Sequence, residues 1–500
     1  MKFHEHRDTT ITDPPENVTD ETVNELLSNT LLHLKFQDRN DIYEEIHGVR
    51  NLAREETPEL IEQSLCSMAA ELDRIISSSA SKEVEVVEGR KEEDYKYAYQ
   101  KTRQLEKTYV NDRDFHLKFL RADLFDAKKA ADRLVVHLDF LLMLFGPRAL
   151  EERLQASFFN TKEEATALRS GNVQILPFRD RSGRRIMVNL SGVFAYSPYL
   201  RVKLWFYFTS IAAEDVETQR NGLITIAFCP SNADFGTNMK IRMPGSQNRI
   251  VSPNGREMVY GISVRMTAYH FCFPDTPIFR LLRAFYVFVL GDKQRGRMVF
   301  HCGTKTEMQY SLMGYGIPVE HIPATETGAV KTKYHFQWLR LRKLIETDPS
   351  THANVCESPG INDVLFRRAG VCTAHPGNVM FKCLLESRKV EHSISTQTEK
   401  RDVVWSIVEY VGSRGGCFYA WDAKQCWWTK MEDKSEIRRK VAVSIRDFNS
   451  SNTKTIQQPQ CTKSDTLVFE RQDGKKRKRK SINGLSRCVN IISKFEPIPL

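Results

Sequence analysis

Five short β-like runs separated by helical stretches fill the middle of this chain. They are VQILPF (173–178), RIMVNL (185–190), GLITIAF (222–228), AYHFCF (268–273) and RMVFHC (297–302). LRVKLWFYFTSIAAEDVETQ lies between the second and third, and TPIFRLLRAFYVFVLG between the fourth and fifth. Strands that alternate with helices over this length predict an α/β sheet. DRSGRR (180–185) reads as the turn joining the first two strands.

The helix at 276–291 is the unusual element. Thr276 can cap it, Pro277 suits its first position, and Gly291 can supply a left-handed stop. Ile278, Leu281, Leu282, Phe285 and Val289 form one apolar stripe, which Phe279, Tyr286, Phe288 and Leu290 widen. Arg280 and Arg283 share the narrow polar side. At ~1.5 Å per residue the helix is ~21 Å long, short of the ~30 Å bilayer core. Two readings follow: a buried core helix, or a helix that lies against lipid, with its arginines near phosphates.

The flanks differ in charge. Residues 1–100 carry 11 Lys and Arg against 23 Asp and Glu, whereas the other 400 residues carry 62 against 40. An acidic N-terminal region (1–93), helical in part, therefore precedes a basic body that suits an anionic partner. Helical patterns continue from 94 to 145, with Asp126 placed to cap AKKAADRLVVHLDFLLMLF and Gly146-Pro147 ending it. SSSASKEVEVVEGRKEED (77–94) reads as an acidic linker, and 346–360 as a second linker. A small α+β module spans 361–449, and a basic, largely disordered tail spans 450–500.

The N-terminus lacks the apolar core of a signal peptide, and no apolar run reaches the ~18–20 residues of a spanning helix. The 11 cysteines contain no CxxC pair, which fits reduced thiols in the cytosol or nucleus and gives no zinc site. No phosphate loop, nucleophile elbow, zincin helix or Rossmann fingerprint occurs. His301 and Cys302 are neighbours on one strand and point to opposite faces, so they do not read as a dyad. The chain is read as non-enzymatic.

In order, these elements resemble the CRAL-TRIO (Sec14-like) lipid-binding family. DRDFHLKFLRADLFDAKKAADRLVVHLDF (112–140) looks like its N-terminal helical segment, with the Phe-Leu-Arg-Ala run at Phe119 to Ala122. RNGLITIAF resembles the central strand, and AYHFCFPDTPIFRLLRAFYVFVLGDKQRGRMVFHCGT the strand, mobile gate helix, basic turn and final strand. The resemblance covers 94–345 and implies a mixed, mostly parallel sheet enclosing one hydrophobic ligand beneath the gate. It implies a phospholipid, phosphoinositide or tocopherol-like ligand, lined by Leu282, Phe285, Tyr286, Val289, Phe228, His270 and Phe271. It also implies transient contact with an anionic membrane through Arg280, Arg283, Lys293, Arg295 and Arg297, and a cytoplasmic, membrane-peripheral location. The pattern departs at 229–255, an insertion, and at GIPVEHIPATETG (316–328), where the family's closing motif is blurred. His270 stands where phosphatidylinositol binders carry lysine.

The module at 361–449 resembles a domain-of-unknown-function family frequent in algal proteins. Its hallmarks stand here as Asn362-Asp363-Val364-Leu365 with Arg368, and His375-Pro376-Gly377-Asn378. Gly377 permits a tight turn and Asn378 can cap the next helix. GGCFYAWDAKQCWWTKM reads as a hairpin with Trp421, Trp427 and Trp428 on its faces, followed by a basic helix. The plan is similar to winged-helix DNA binders, an analogy of fold alone. Three uses stay open: a packed core, nucleic-acid contact through Arg438, Arg439 and Lys440 with Lys475, Lys476 and Arg477, or protein docking. KKRKRK (475–480) is a nuclear-import signal, a polybasic lipid patch or a solvated run. The alternative function is therefore a nuclear regulator whose module binds nucleic acid.

Overall fold

A computed structural model of the chain describes residues 20–77, 97–229, 259–289, 292–325, 328–348, 354–367, 372–373, 375–425 and 427–456. All of the expected acidic linker but Ser77, all of the expected insertion but Cys229, and KKRKRK lie outside these residues, as does Arg368.

The five β-like runs form one sheet: β1 (Val173–Arg179), β2 (Arg185–Leu190), β3 (Leu223–Phe228), β4 (Met266–Phe273) and β5 (Met298–Cys302), in the order β1-β2-β3-β4-β5. β1 and β2 are antiparallel, since the turn between them is too short for a crossover. Asp180 closes that turn, its carboxylate accepting the backbone N–H of Ser182 (3.1 Å) and Arg184 (2.7 Å), and Gly183 takes φ +79°. The other three pairings are parallel. Their crossovers include α8 (Pro198–Ala212) and α9 (Val216–Asn221) before β3, and α10 (Pro277–Val289) with α11 (Asp292–Arg295) before β5. The chain is a mixed α/β protein.

Side-chain alternation gives the sheet two different faces. Ile186, Val188, Ile224, Ile226, Phe228, Ala268 and Cys272 pack with Met308 and Leu312 of α12 (Lys305–Gly314). On the other face Met187, Leu223, Tyr269, Phe271 and Phe273 meet a larger cluster. It is supplied by α3 (Pro58–Ser77), α5 (Arg113–Ala122), α6 (Ala127–Phe145), α8 and α10. Asp126 caps α6 as expected, accepting the N–H of Lys129 at 3.1 Å. Phe119 and Leu120 of the Phe-Leu-Arg-Ala run are fully buried, and Arg121 forks onto both carboxylate oxygens of Glu56 at 2.8 Å.

The acidic N-terminal region is strapped to the basic edge of the sheet. α1 (Asp20–Leu32) and α2 (Phe36–Ile46) lead to Glu45, which is 1% exposed and pairs with Arg265 and Arg297, the latter at 2.5 Å. Arg184 donates to the carbonyls of Glu45 and Ile46, where the C-terminal end of α2 carries its partial negative charge. These arginines sit just before β2, β4 and β5, so one carboxylate and one helix end neutralise the start of three strands.

The expected linker at 346–360 is built into the fold in its second half. α13 (Lys333–Thr347) is followed by β6 (Val355–Cys356) and by Glu357, whose carboxylate pairs with Arg185 and accepts from Arg342 (3.1 Å) and Trp338 (3.0 Å). Arg179 donates to the carbonyls of Ser358 and Pro359. Pro, Ser and Gly content misleads here because a buried charge, not composition, fixes the segment.

The module has its own sheet, β6-β9-β8-β7, with β7 (Val364–Phe366) parallel to β8 (Phe418–Asp422) and β8 antiparallel to β9 (Trp427–Lys430). Three helices stand between β7 and β8: α14 (Pro376–Ser387), α15 (Lys389–Ile394) and α16 (Gln397–Ser413). With α17 (Lys434–Ile456) they enclose a separate core around Val404, Ile407, Val411, Val441 and Ile445. Among the described residues no helix is long and apolar enough to cross a membrane.

Candidate functional site

α10 lies on the aromatic face of the sheet, at β4 and β5. Pro277 opens it, and the carbonyl of Thr276 accepts from Phe279 and Arg280. The Thr276 hydroxyl is buried without a hydrogen-bond partner, so the expected side-chain cap is not made. Phe279 stacks on Phe273 (5.0 Å, 12°), and Tyr286 packs on Phe271 (4.4 Å) and Phe273 (6.2 Å). Phe271 in turn stacks on Phe300 of β5 (5.0 Å, 18°). Leu282 is buried beside them, and burial raises the Tyr286 phenol well above its ordinary range. The helix is thus seated by rings on rings, each pair worth about 0.5–1.5 kcal/mol beyond area burial.

A cleft of about 330 Å³ opens beside the start of α10, where β4 and β5 end. Phe273, Phe279 and Phe300 form its apolar lining, and Arg280, Arg283 and Asp275 are its charged residues. The cleft lies outside the carboxyl ends of two parallel strands. Arg280 is exposed and reaches Asp275 at 3.1 Å. Arg283 lies over the Phe300 ring (5.2 Å) and donates to Asn24 of α1 at 2.5 Å.

Of the expected lining, Leu282, Tyr286 and Phe271 come together under α10. Phe228 and His270 do not, because they project from the opposite face: Phe228 pairs in register with Cys272, while Phe271 pairs with Ala227. Adjacent strand residues such as His270 and Phe271 cannot line one cavity. His270 instead faces His301 (Nδ1 to Nε2, 2.9 Å), whose Nδ1 lies 2.7 Å from the exposed Ser311 hydroxyl. Burial and the neighbouring His301 hold His270 well below its ordinary pKa, and burial lowers His301 to about 4, so both are neutral at pH 7. This pair was missed in the sequence, although both residues fall on the same phase of adjacent strands.

The expected phosphate contacts divide similarly. Arg280 and Arg283 stand at the cleft, but Arg295 is buried, donating to the Val287 carbonyl at 2.7 Å, and Arg297 is committed to Glu45 and the Thr267 carbonyl. Phe285, Val289 and Lys293 lie outside the described side chains.

In the module, Trp428 is 1% exposed and therefore core, while Trp421 is half-buried, meets Trp428 edge-on (5.0 Å) and carries the Arg367 guanidinium over its ring at 4.1 Å. Lys440 lies over Phe366 (5.3 Å) and near Glu436 (3.8 Å), Arg439 is exposed near Glu436 (3.9 Å), and Arg438 is half-buried. Lys475, Lys476 and Arg477 lie outside the described residues. The two signature motifs are each other's packing partners. Asp363 accepts from the N–H of Cys417 (2.7 Å) and Gly360 (2.6 Å). Asn378 does not cap α14 but bonds across to Leu365, accepting from its N–H (2.7 Å) and donating to its carbonyl (3.0 Å). Gly377 lies so close that a Cβ would fall 2.1 Å from the Asp363 carbonyl oxygen.

A family model described as a domain of unknown function (DUF6824) matches residues 363–447, the described module. Comparison with curated proteins finds no match for the chain.

Proposed function

We propose that residues 94–345 form a CRAL-TRIO-like chamber in which the chain binds one lipid or other small hydrophobic ligand, to transfer or sense it, without catalysis. The observation that carries this reading is the seating of α10: one apolar helix, held by aromatic contacts, beside a cleft with an apolar lining and two arginines against one aspartate. A cleft of about 330 Å³ sits at the small end of ligand sites, which run from about 300 to 1,000 Å³. It suits one end of a ligand. The remainder needs the space that Phe271, Phe273 and Tyr286 fill when α10 is down, so loading requires α10 to lift.

The ligand class follows from these charges. Arg280 and Arg283 favour an amphiphile with an anionic head and an apolar chain, a phospholipid or a fatty-acid-like molecule, over a neutral one. His270 faces the other side of the sheet and gives no head-group selectivity. Leu282→Asp places an unpaired carboxylate in this interface, at a cost of several kcal/mol for the seated helix. Uptake of a fluorescent fatty-acid analogue by wild type, with loss in a folded Leu282→Asp variant, is the expected result. Equal uptake by both proteins contradicts the assignment.

A further inference from the structure

α10 is flanked by α1 where it meets the β5 edge of the sheet: Val23 (1% exposed), Ala284 (5%) and Val287 (0%) form a small apolar cluster, with Leu26 and Leu27 of α1 and Met298 and Phe300 of β5 packed against them. Asn24 accepts the hydrogen bond from Arg283 at 2.5 Å. α1 reads DETVNELLSNTLL, with three acids and no base, whereas α10 reads PIFRLLRAFYVFV, with two arginines and no acid. Glu21 and Glu25 face solvent. α1 therefore hides apolar surface, engages one arginine, and presents negative charge where α10 would present positive.

We propose that α1 is an intramolecular latch: it holds α10 down and conceals the face by which α10 docks on an anionic lipid surface, and that surface displaces it. The proposal rests on the reading of α10 as the movable cover of the chamber. An acidic bilayer offers the same two kinds of contact that α1 supplies, a polar partner for Arg283 and an apolar environment for Ala284 and Val287. It adds phosphates for Arg280 while repelling Glu21 and Glu25. Latch and membrane are therefore mutually exclusive on this face. The cluster is small, as expected of an element drawn from the least stable part of a fold. Residues His33 to Lys35 separate α1 from α2, whose far end is fixed by Glu45, so α1 can release while the strap stays in place.

Three full-chain proteins test this by co-sedimentation with phosphatidylcholine–phosphatidylserine vesicles and with pure phosphatidylcholine vesicles. They are wild type, a Val23→Ser/Leu27→Ser variant that removes the apolar cluster, and the milder Asn24→Ala variant in case the first does not fold. If latched molecules outnumber open ones by about ten to one, opening raises the apparent affinity for phosphatidylserine vesicles by up to ~10-fold, because only the competent fraction binds. Asn24→Ala gives a smaller rise, binding to phosphatidylcholine does not change, and adding Arg280→Gln/Arg283→Gln to the open variant removes the gain. Unchanged binding in the latch variants, or no binding of any protein to phosphatidylserine vesicles, overturns the latch. Bound lipid measured in parallel by native mass spectrometry reads the underlying assignment separately: its absence from every protein, wild type included, rejects the chamber whatever the vesicles show.

Discussion

The α/β body and the C-terminal module present opposite relations between signature and use. In the module, the recognisable residues are architectural: Asp363 ties two loops, Asn378 extends the edge of β7, and Gly377 permits their close approach. In the body, the candidate site consists of an aromatic seat, a cleft and two arginines, with no signature run among them. A motif can be conspicuous because a fold needs it, and a site can be assembled from residue types too common to form a motif.

The two regions are also secured differently, and the largest expected effect attacks the body. Glu45→Ala leaves Arg265 and Arg297 buried without their carboxylate, a loss of about 3–5 kcal/mol. Hydrogen exchange at rising urea should show amides of the α/β body losing protection early while those of the module lag. Unshifted protection of the body would mean that the strap contributes little.

Gly377→Ala is the converse. Its methyl group would meet the backbone of Asp363, which cannot move without breaking the bonds to Gly360 and Cys417, so we expect a loss of ~3 kcal/mol confined to the module. Amides of the module should then lose protection first, with uptake of a fatty-acid analogue retained. Loss of uptake would show that the chamber depends on the module.

Glu357 joins the two regions and sharpens the comparison through pH. Burial pushes its carboxyl up, but Arg185 and Arg342 outweigh burial and bring it down to about 2 from an ordinary 4.5. A depressed folded-state pKa stabilises above the unfolded value, so the contribution is complete above pH 4.5 and disappears as pH falls towards 2. By linkage it amounts to ~3 kcal/mol at neutral pH. The gap in stability between wild type and Glu357→Gln should narrow over that window. A gap independent of pH would remove the ion pairs from the account.

Much of the fold was legible from local signals. All five strands of the body fall within two residues of their expected ends, because each is a compact run flanked by turn residues, and the Asp126 cap and the Gly183 turn are purely local. What was not legible depends on long-range partners. Glu45 and Glu357 look like surface acids until Arg265, Arg297, Arg185 and Arg342 are brought beside them from far along the chain. Of the lining that the resemblance implied, Leu282, Tyr286 and Phe271 lie together under α10, whereas Phe228 and His270 face the other side of the sheet because strand residues alternate. Arg295 and Arg297 were misread because a cation beside an apolar helix resembles a phosphate contact whether it faces solvent or a buried carbonyl.

The central claim is that the chamber under α10 holds one amphiphilic molecule. Native mass spectrometry of the purified full-length chain, followed by denaturation and identification of what is released, tests it most directly. The account predicts a one-to-one complex with a single lipid-sized anionic amphiphile, reduced in a folded Leu282→Asp protein. A wild-type chain that carries no lipid and takes up none from phosphatidylserine vesicles would contradict it.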